Sequence, residues 1–354
     1  MEDIHPIVWD GAALQLLDQR LLPAQEVYIT CRSLSDVAAC IKDMAVRGAP
    51  AIGVTAAYGI VLAMRAFDCP PANPLLNRNY YTDKLGVAAA LLEGTRPTAV
   101  NLAWAVKRML KRYETVAAEI PQRIEKELEA EANRIFEEDI AINKRIGEYG
   151  AELIKDGAAV LTHCNAGALA TAGYGTALGV LRSASRQGKN ISVYADETRP
   201  YLQGARLTAW ELQKEHIPVT LIVDSAAGYY MRRKVIHAVI TGADRVAANG
   251  DTANKIGTYM LAVLARENNI PFYVALPFST FDFSIESGAD IVVEERDPSE
   301  VTFLRGEPLT VPGINAGNPS FDITPAPYIT AFITEHGVIH NPDKEKIRKI
   351  ELRA

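Results

Sequence analysis

Several common signposts are missing from this chain of 354 residues, and each gap removes a class of function. Cysteine is scarce: Cys31, Cys40, Cys69 and Cys164 have spacings that suit neither a paired zinc site nor a disulfide framework. A reducing, cytoplasmic setting is therefore expected. Lys and Arg number 37 against 43 Asp and Glu, a net charge of −6, so a basic face for nucleic acid is not expected. The longest apolar stretches are interrupted by Gly, Thr or charge, so no membrane span is expected either. The opening Met1-Glu2-Asp3-Ile4-His5 is acidic and lacks the hydrophobic core of a signal peptide. There is no Gly-x-Ser-x-Gly elbow, no phosphate loop of the G-x-x-x-x-G-K-[ST] type, and no His/Cys grouping with metal-ligand spacing. A reaction without metal or cofactor is the economical expectation.

What is present falls into two textures. The first thirty residues alternate apolar and polar types around Pro6, Gly11 and Pro23, which predicts a small antiparallel sheet. Helical patterns follow over Ser35–Met44, Pro50–Arg65 and Ala99–Tyr113, with residues 67–82 reading as an exposed loop of three prolines and three asparagines. From Gln122 to Asp156 one stripe, Ile124, Leu128, Ala132, Ile135, Ile142 and Ile146, predicts a long amphipathic helix. The domain boundary is placed inside it, giving an N-terminal domain over 1–145 and a second over 146–354. Beyond Gly157, β-rich runs at 158–162, 191–195, 219–223, 238–241, 272–276 and 291–293 alternate with helical patterns. That alternation predicts an α/β fold with a doubly wound, mostly parallel, Rossmann-like sheet. Ligands bind at the carboxyl ends of such strands, where Cys164, Asp196, Glu197, Asp224, Asp244 and Pro277 fall.

The densest chemistry lies in Gly242–Gly257. Asp244 follows an apolar run, and Asn254-Lys255 precede a helical pattern, so a helix start and a lysine are expected to meet a phosphate while Asp244 faces what the phosphate anchors. Arg47-Gly48-Ala49-Pro50 and Thr95-Arg96-Pro97 each set an arginine beside a helix start, the chemistry of an oxyanion site. With Lys255 they suggest a composite phosphate cradle. After the 191–195 run, Gln203 and Arg206 stand at a helix entry and suit sugar hydroxyls, while Glu197, Arg199 and Arg206 also suit a structural ion-pair network. Cys164, in Thr162-His163-Cys164-Asn165-Ala166-Gly167, reads either as a thiol at the sheet's mouth or as a small buried apolar residue. His163 is a poor base for it on an extended strand, where neighbours point to opposite faces, unless the chain turns. A dinucleotide site is disfavoured: Gly173-Tyr174-Gly175 lies too far beyond the strand and does not complete G-x-G-x-x-G.

Taken in order, Arg47–Gly53, Thr95–Leu102, Thr162–Gly167, 195–208, 242–257 and Asn318–Pro325 resemble the 5-methylthioribose-1-phosphate isomerase family, which is homologous to the regulatory subunits of the eukaryotic initiation-factor guanine-nucleotide exchange factor. The resemblance covers nearly the whole chain. It implies Cys164 and Asp244 as the catalytic pair and Arg47, Gly48, Ala49, Arg96, Gln203, Asn254 and Lys255 as substrate-binding positions. It also implies a sugar phosphate as the small-molecule partner, and a homodimer. Two stretches depart from the family pattern, Asp224-Ser225-Ala226-Ala227-Gly228 and residues 302–317. Sister isomerases of ribose 1,5-bisphosphate or 5-deoxyribose 1-phosphate, and a sugar-phosphate-sensing regulatory subunit, are the alternatives. For the isomerase, Asp244 has to protonate a ring oxygen, so its pKa is expected above the usual carboxylate range in a closed site.

Overall fold

The computed structural model describes residues 4–67, 74–96, 100–304 and 306–352. Two compact units emerge, one of Ile4–Ile142 with Ala168–Gly175, the other of Asn143–Gly167 with Thr176 onward.

In the N-terminal unit, the early alternation becomes three antiparallel strands, β1 (Ile7–Trp9), β2 (Leu14–Leu17) and β3 (Tyr28–Cys31), in spatial order 1-2-3. Helix α1 (Leu34–Lys42) starts at a capping box in which Ser33 and Asp36 each accept the other's backbone N–H. Next come α2 (Ala49–Ala66), α3 (Pro74–Glu93), α4 (Val100–Val116) and, as far as Ile142, α5 (Pro121–Ala151). The unit's core is built around α2, in which every residue from Ala51 to Met64 is buried. Its approach to α4 is close: a Cβ on Gly53 would lie 2.8 Å from the Asn101 carbonyl oxygen. In length and composition α2 does match a membrane span, contrary to expectation, but its burial within the unit marks it as a core helix. The loop expected over 67–82 is also corrected. Helix α3 begins at Pro74, a residue tolerated in a helix's first turn, and buries Tyr81, Leu85, Ala88, Ala89 and Leu92 along one face. Residues 68–73 of that expected loop lie outside the described residues.

The C-terminal unit holds strands β4 (Ala159–Thr162), β5 (Ser192–Asp196), β6 (Val219–Ile222), β7 (Ala238–Thr241), β8 (Arg245–Ala247), β9 (Thr252–Lys255), β10 (Phe272–Ala275), β11 (Phe281–Asp282), β12 (Phe303–Leu304), β13 (Glu307–Pro308), β14 (Phe321–Thr324), β15 (Ala331–Thr334) and β16 (Gly337–His340). Helices α6 (Ala177–Arg186), α7 (Ala209–Lys214), α8 (Ala227–Arg232) and α9 (Thr258–Glu267) alternate with the main strands. The seven-stranded sheet has the order 16-15-10-7-4-5-6, parallel throughout except for the β15–β16 pair. This is the doubly wound α/β sheet that strand–helix alternation predicts. From β4 the chain proceeds to β5 and β6 on one side, then returns to β7 on the other, so the topological switch point lies between β4 and β7.

Residues 291–293 form no strand: Val292 is 81% exposed and its two neighbours are only partly buried, so the run is not a core strand. The position beyond β10 is taken by β15, whose four residues are all buried. A second sheet of order 11-8-9-14 was not foreseen. Its β8–β9 hairpin turns at Asn249-Gly250, with Gly250 at φ 91°, and the Asn-Gly pair was the signal available.

Candidate active site

The chain turns sharply where β4 ends. Cys164 takes φ 61°, the left-handed region that a residue with a Cβ adopts at a cost of about 1 kcal/mol or more. Four hydrogen bonds around it hold that conformation. The Cys164 N–H donates to Thr198 Oγ1 at 2.9 Å, and its carbonyl accepts from Thr208 Oγ1 at 2.6 Å. The next residue is anchored too, since Asn165 Nδ2 donates to Thr208 Oγ1 at 3.2 Å and Glu211 Oε1 at 2.9 Å. The thiol is thus set by its backbone at the sheet's carboxyl end, half-buried.

Both supporting threonines are held in turn. Thr198 Oγ1 donates to the Asp196 carbonyl at 3.1 Å, and the Asp224 carboxylate accepts the N–H groups of Thr198 at 2.7 Å and Arg199 at 2.8 Å. Thr208 closes a π-helical turn, Gly204–Thr208, a local widening that recurs at functional sites. Gly204 is dictated by space, for a Cβ there would lie 1.6 Å from the Asp196 carbonyl oxygen. Gly204→Ala is expected to abolish accumulation of soluble, folded protein, or to lower its melting temperature by more than 10 °C. A thermal scan of the purified variant checks this, and a wild-type-like melt would refute the close approach.

His163 does not serve the thiol as a base even though the chain turns, because both ring nitrogens are engaged. Nδ1 meets Asp196 Oδ2 at 2.9 Å and Nε2 meets the Ile256 carbonyl at 2.8 Å. Burial works most strongly against a charged ring, yet the bond to Asp196, the charges of Asp196 and Asp224 and the Ile256 carbonyl together hold His163 above its ordinary pKa. Burial likewise pushes the Asp196 carboxyl up to about 6. Among the described residues, His163, Asp196 and Asp224 form a group whose ligand atoms lie within 4.8 Å of one another. The ring nitrogens and both Asp224 oxygens are already hydrogen-bonded, so the group is built as a hydrogen-bond cluster rather than a cation cage.

The second arm of the site follows β7. Asp244 is half-buried and opens the β8–β9 hairpin, where its N–H donates to the Ala253 carbonyl at 2.9 Å. The β4 and β7 loops touch: a Cβ on Gly242 would lie 2.8 Å from the Ala166 Cβ. Cys164 and Asp244 therefore stand on adjoining loops on either side of the switch point. Asn254 and Lys255 end β9 rather than beginning a helix, which corrects the expectation from sequence. Asn254 is buried and donates to Thr258 Oγ1 at 2.9 Å, while Lys255 Nζ donates to the Ser320 carbonyl at 2.8 Å and sits 4.4 Å from the Phe321 ring centre. The start of α9 is not open to a phosphate: Asp322 accepts the N–H groups of Gly257 at 2.8 Å and Tyr259 at 3.0 Å. Gln203 is buried just before the π-helical turn, and its Oε1 has no hydrogen-bond partner among the described residues. Arg199 donates to the carbonyls of Pro200 and Val301, so its role in the expected ion-pair network is replaced by backbone anchoring.

Four expected binding residues belong to the N-terminal unit. Arg47 is buried, with Nε donating to Gln19 Oε1 at 3.1 Å, and Gln19 Nε2 in turn donates to the Leu169 carbonyl at 2.7 Å. Gly48 caps α2 at φ 95°, where a Cβ would lie 2.6 Å from the Ala170 Cα, so only glycine fits. Ala49 opens α2, leaving the Arg47-Gly48-Ala49 segment at a helix N-terminus. Arg96 lies half-buried in the bend that follows α3; Pro97–Ala99, which complete that motif, lie outside the described residues.

The sequence profile of the initiation factor 2 subunit family matches residues 45–341. A protein named methylthioribose-1-phosphate isomerase from Pelotomaculum thermopropionicum is 56% identical over 342 residues, covering 96% of this chain and 92% of its own. One of the same name from Acetivibrio thermocellus is 53% identical over 346 residues, covering 98% and 99%. The crystal structure of 5-methylthioribose 1-phosphate isomerase from Pyrococcus horikoshii OT3 matches with a TM-score of 0.91 at 41% identity, over 99% of this chain and 96% of that one. A structure described as translation initiation factor eIF-2B, subunit delta, from A. fulgidus matches with a TM-score of 0.87 at 44% identity, over 98% and 99%.

Proposed function

This chain belongs to the initiation factor 2 subunit family, and we infer that within it the chain is an aldose–ketose isomerase, converting 5-methylthioribose 1-phosphate to 5-methylthioribulose 1-phosphate in methionine salvage. The observation that carries the assignment of residues is the pair of touching loops at the switch point, one bearing a clamped thiol and the other a carboxylate.

The substrate's chemistry explains why such a pair is needed. Phosphate on the anomeric oxygen blocks the ring opening available to a free aldose. Asp244 acts as the general acid that protonates the ring oxygen, and the hydrogen at C2 must then reach C1. Two routes use Cys164: as a thiolate it takes the C2 proton through an enediol, or as a thiol it stabilises a hydride shift. Running the reaction in D2O separates them, because only the proton route carries solvent deuterium into C1. Lys255 in the C-terminal unit, and Arg47, Gly48, Ala49 and Arg96 in the N-terminal unit, are the proposed substrate-binding residues, and a held phosphate fixes C1 and C2 for reaction. Gln203 and Asn254 bind the sugar, and the unsatisfied Oε1 of Gln203 supports a hydroxyl donor there.

The likeness to the A. fulgidus protein at 44% identity favours a second reading, a sugar-phosphate-sensing subunit without turnover. Proton NMR of the purified protein with 5-methylthioribose 1-phosphate decides. Conversion to the ketose is expected; binding without conversion would support the sensor, and conversion only of ribose 1,5-bisphosphate or 5-deoxyribose 1-phosphate would move the assignment to a sister isomerase. The working form is a homodimer in the cytoplasm.

A further inference from the structure

His163 reaches three segments of the C-terminal unit from one ring. It precedes Cys164 at the end of β4, bonds Asp196 at the end of β5, and bonds the carbonyl of Ile256, directly after Asn254-Lys255. It fits without spare room, since a Cβ on Gly257 would lie 2.9 Å from its Cε1. We propose that His163 and Asp196 are a positioning pair, an imidazolium–carboxylate sealed beneath the site, that fixes the Cys164 loop against the Asn254–Lys255 segment.

The hydrogen bonds dictate the protonation. A carbonyl oxygen only accepts, so Nε2 facing Ile256 must carry a proton. Nδ1 facing Asp196 Oδ2 then requires a second proton between them, for a bare nitrogen lone pair and an ionised carboxylate at 2.9 Å repel. The carboxylates facing the ring decide where that proton sits. Asp196 comes from β5, Asp224 follows β6, and Asp322 comes from β14, with Glu197 next to Asp196. A cation among these acids is favoured, and the direction of the His163 shift agrees. The pair is wholly buried, so it acts on substrate only through the residues it holds. Nothing in the assigned chemistry of Cys164 or Asp244 uses it.

This proposal rests on the isomerase reading, and the two ring bonds are separable by substitution. His163→Asn retains a donor near Nδ1 and loses the tether to Ile256. Loosening the Lys255 segment is expected to raise KM about tenfold while kcat stays within about threefold. His163→Gln retains a donor near Nε2 and loses Asp196. It is expected to lower kcat about tenfold or more with KM within about threefold. Parallel losses of kcat and KM in both variants, or no loss in either, overturn the positioning role.

The wild-type protein supplies a measurement independent of variant folding and of turnover. With 15N-labelled histidine, one of the six rings is expected to keep both nitrogens protonated at pH 8. Six neutral rings at that pH overturn the imidazolium. If the wild type converts no sugar phosphate, the isomerase reading falls, while the labelled spectrum still decides the pair.

Discussion

Asp244→Asn is expected to slow turnover about 10²–10⁴-fold while substrate affinity stays within a few-fold. The amide matches the carboxyl in shape and can still donate a hydrogen bond, but it cannot release a proton to the ring oxygen. The fold should tolerate the change, since asparagine keeps the backbone N–H that donates to the Ala253 carbonyl at 2.9 Å. Asp244 stands half-buried at the mouth of a hairpin rather than in the core. Cys164→Ala is expected to behave alike, because Thr198 and Thr208 clamp that residue through its main chain and leave the turn standing without the thiol. The measurement is kcat by NMR beside equilibrium binding of the substrate. Turnover within threefold of wild type for Asp244→Asn would remove it as the acid. A parallel collapse of affinity would recast it as a binding residue.

How much of this was legible in the sequence depends on the range of the interaction involved. The main sheet was readable because β4, β7 and β10 are short, largely apolar runs buried at every residue, and burial of both faces forces that pattern. Cys164 and Asp244 could be put at strand ends for the same reason. Their neighbourhood could not, because it rests on contacts between Gly242 and Ala166, and between Gly257 and His163, that no local pattern encodes. The reading of 242–257 erred where a distant residue intervened. Local sequence offered the start of α9 to a phosphate, but Asp322 on β14, directly opposite Asn254 across the ladder, takes those amides. The His163–Asp196 bond spans 33 residues and joins a residue judged a poor base to one noted only for ending a strand. The run at 291–293 failed for the opposite reason: β propensity was present, but among the described residues it pairs with no strand and Val292 stays 81% exposed.

Arg182→Met is expected to destabilise the protein by about 3–5 kcal/mol, the cost of leaving buried charge without its partner. Arg182, on α6, is fully buried, and its guanidinium meets Glu211 at 3.5 Å and Glu215, both equally buried. Burial already pushes the Glu215 carboxyl up, with Arg182 the main opposing influence. Removing the arginine raises it further. A carboxyl whose folded-state pKa exceeds its unfolded value makes the fold less stable as pH rises through the folded pKa. The variant's deficit relative to wild type should therefore be larger at pH 8 than at pH 6. The consequence reaches the site, since Glu211 also accepts from Asn165, the neighbour of Cys164. Urea denaturation at the two pH values, with kcat measured well below the melting range, tests both effects. The double variant Arg182→Met/Glu215→Leu removes one of the stranded carboxylates along with the arginine and is expected to recover at least half of the lost stability. A single variant as stable as wild type at pH 8, or a double variant no better than the single, would show that the network is not what anchors the Asn165 side of the Cys164 turn.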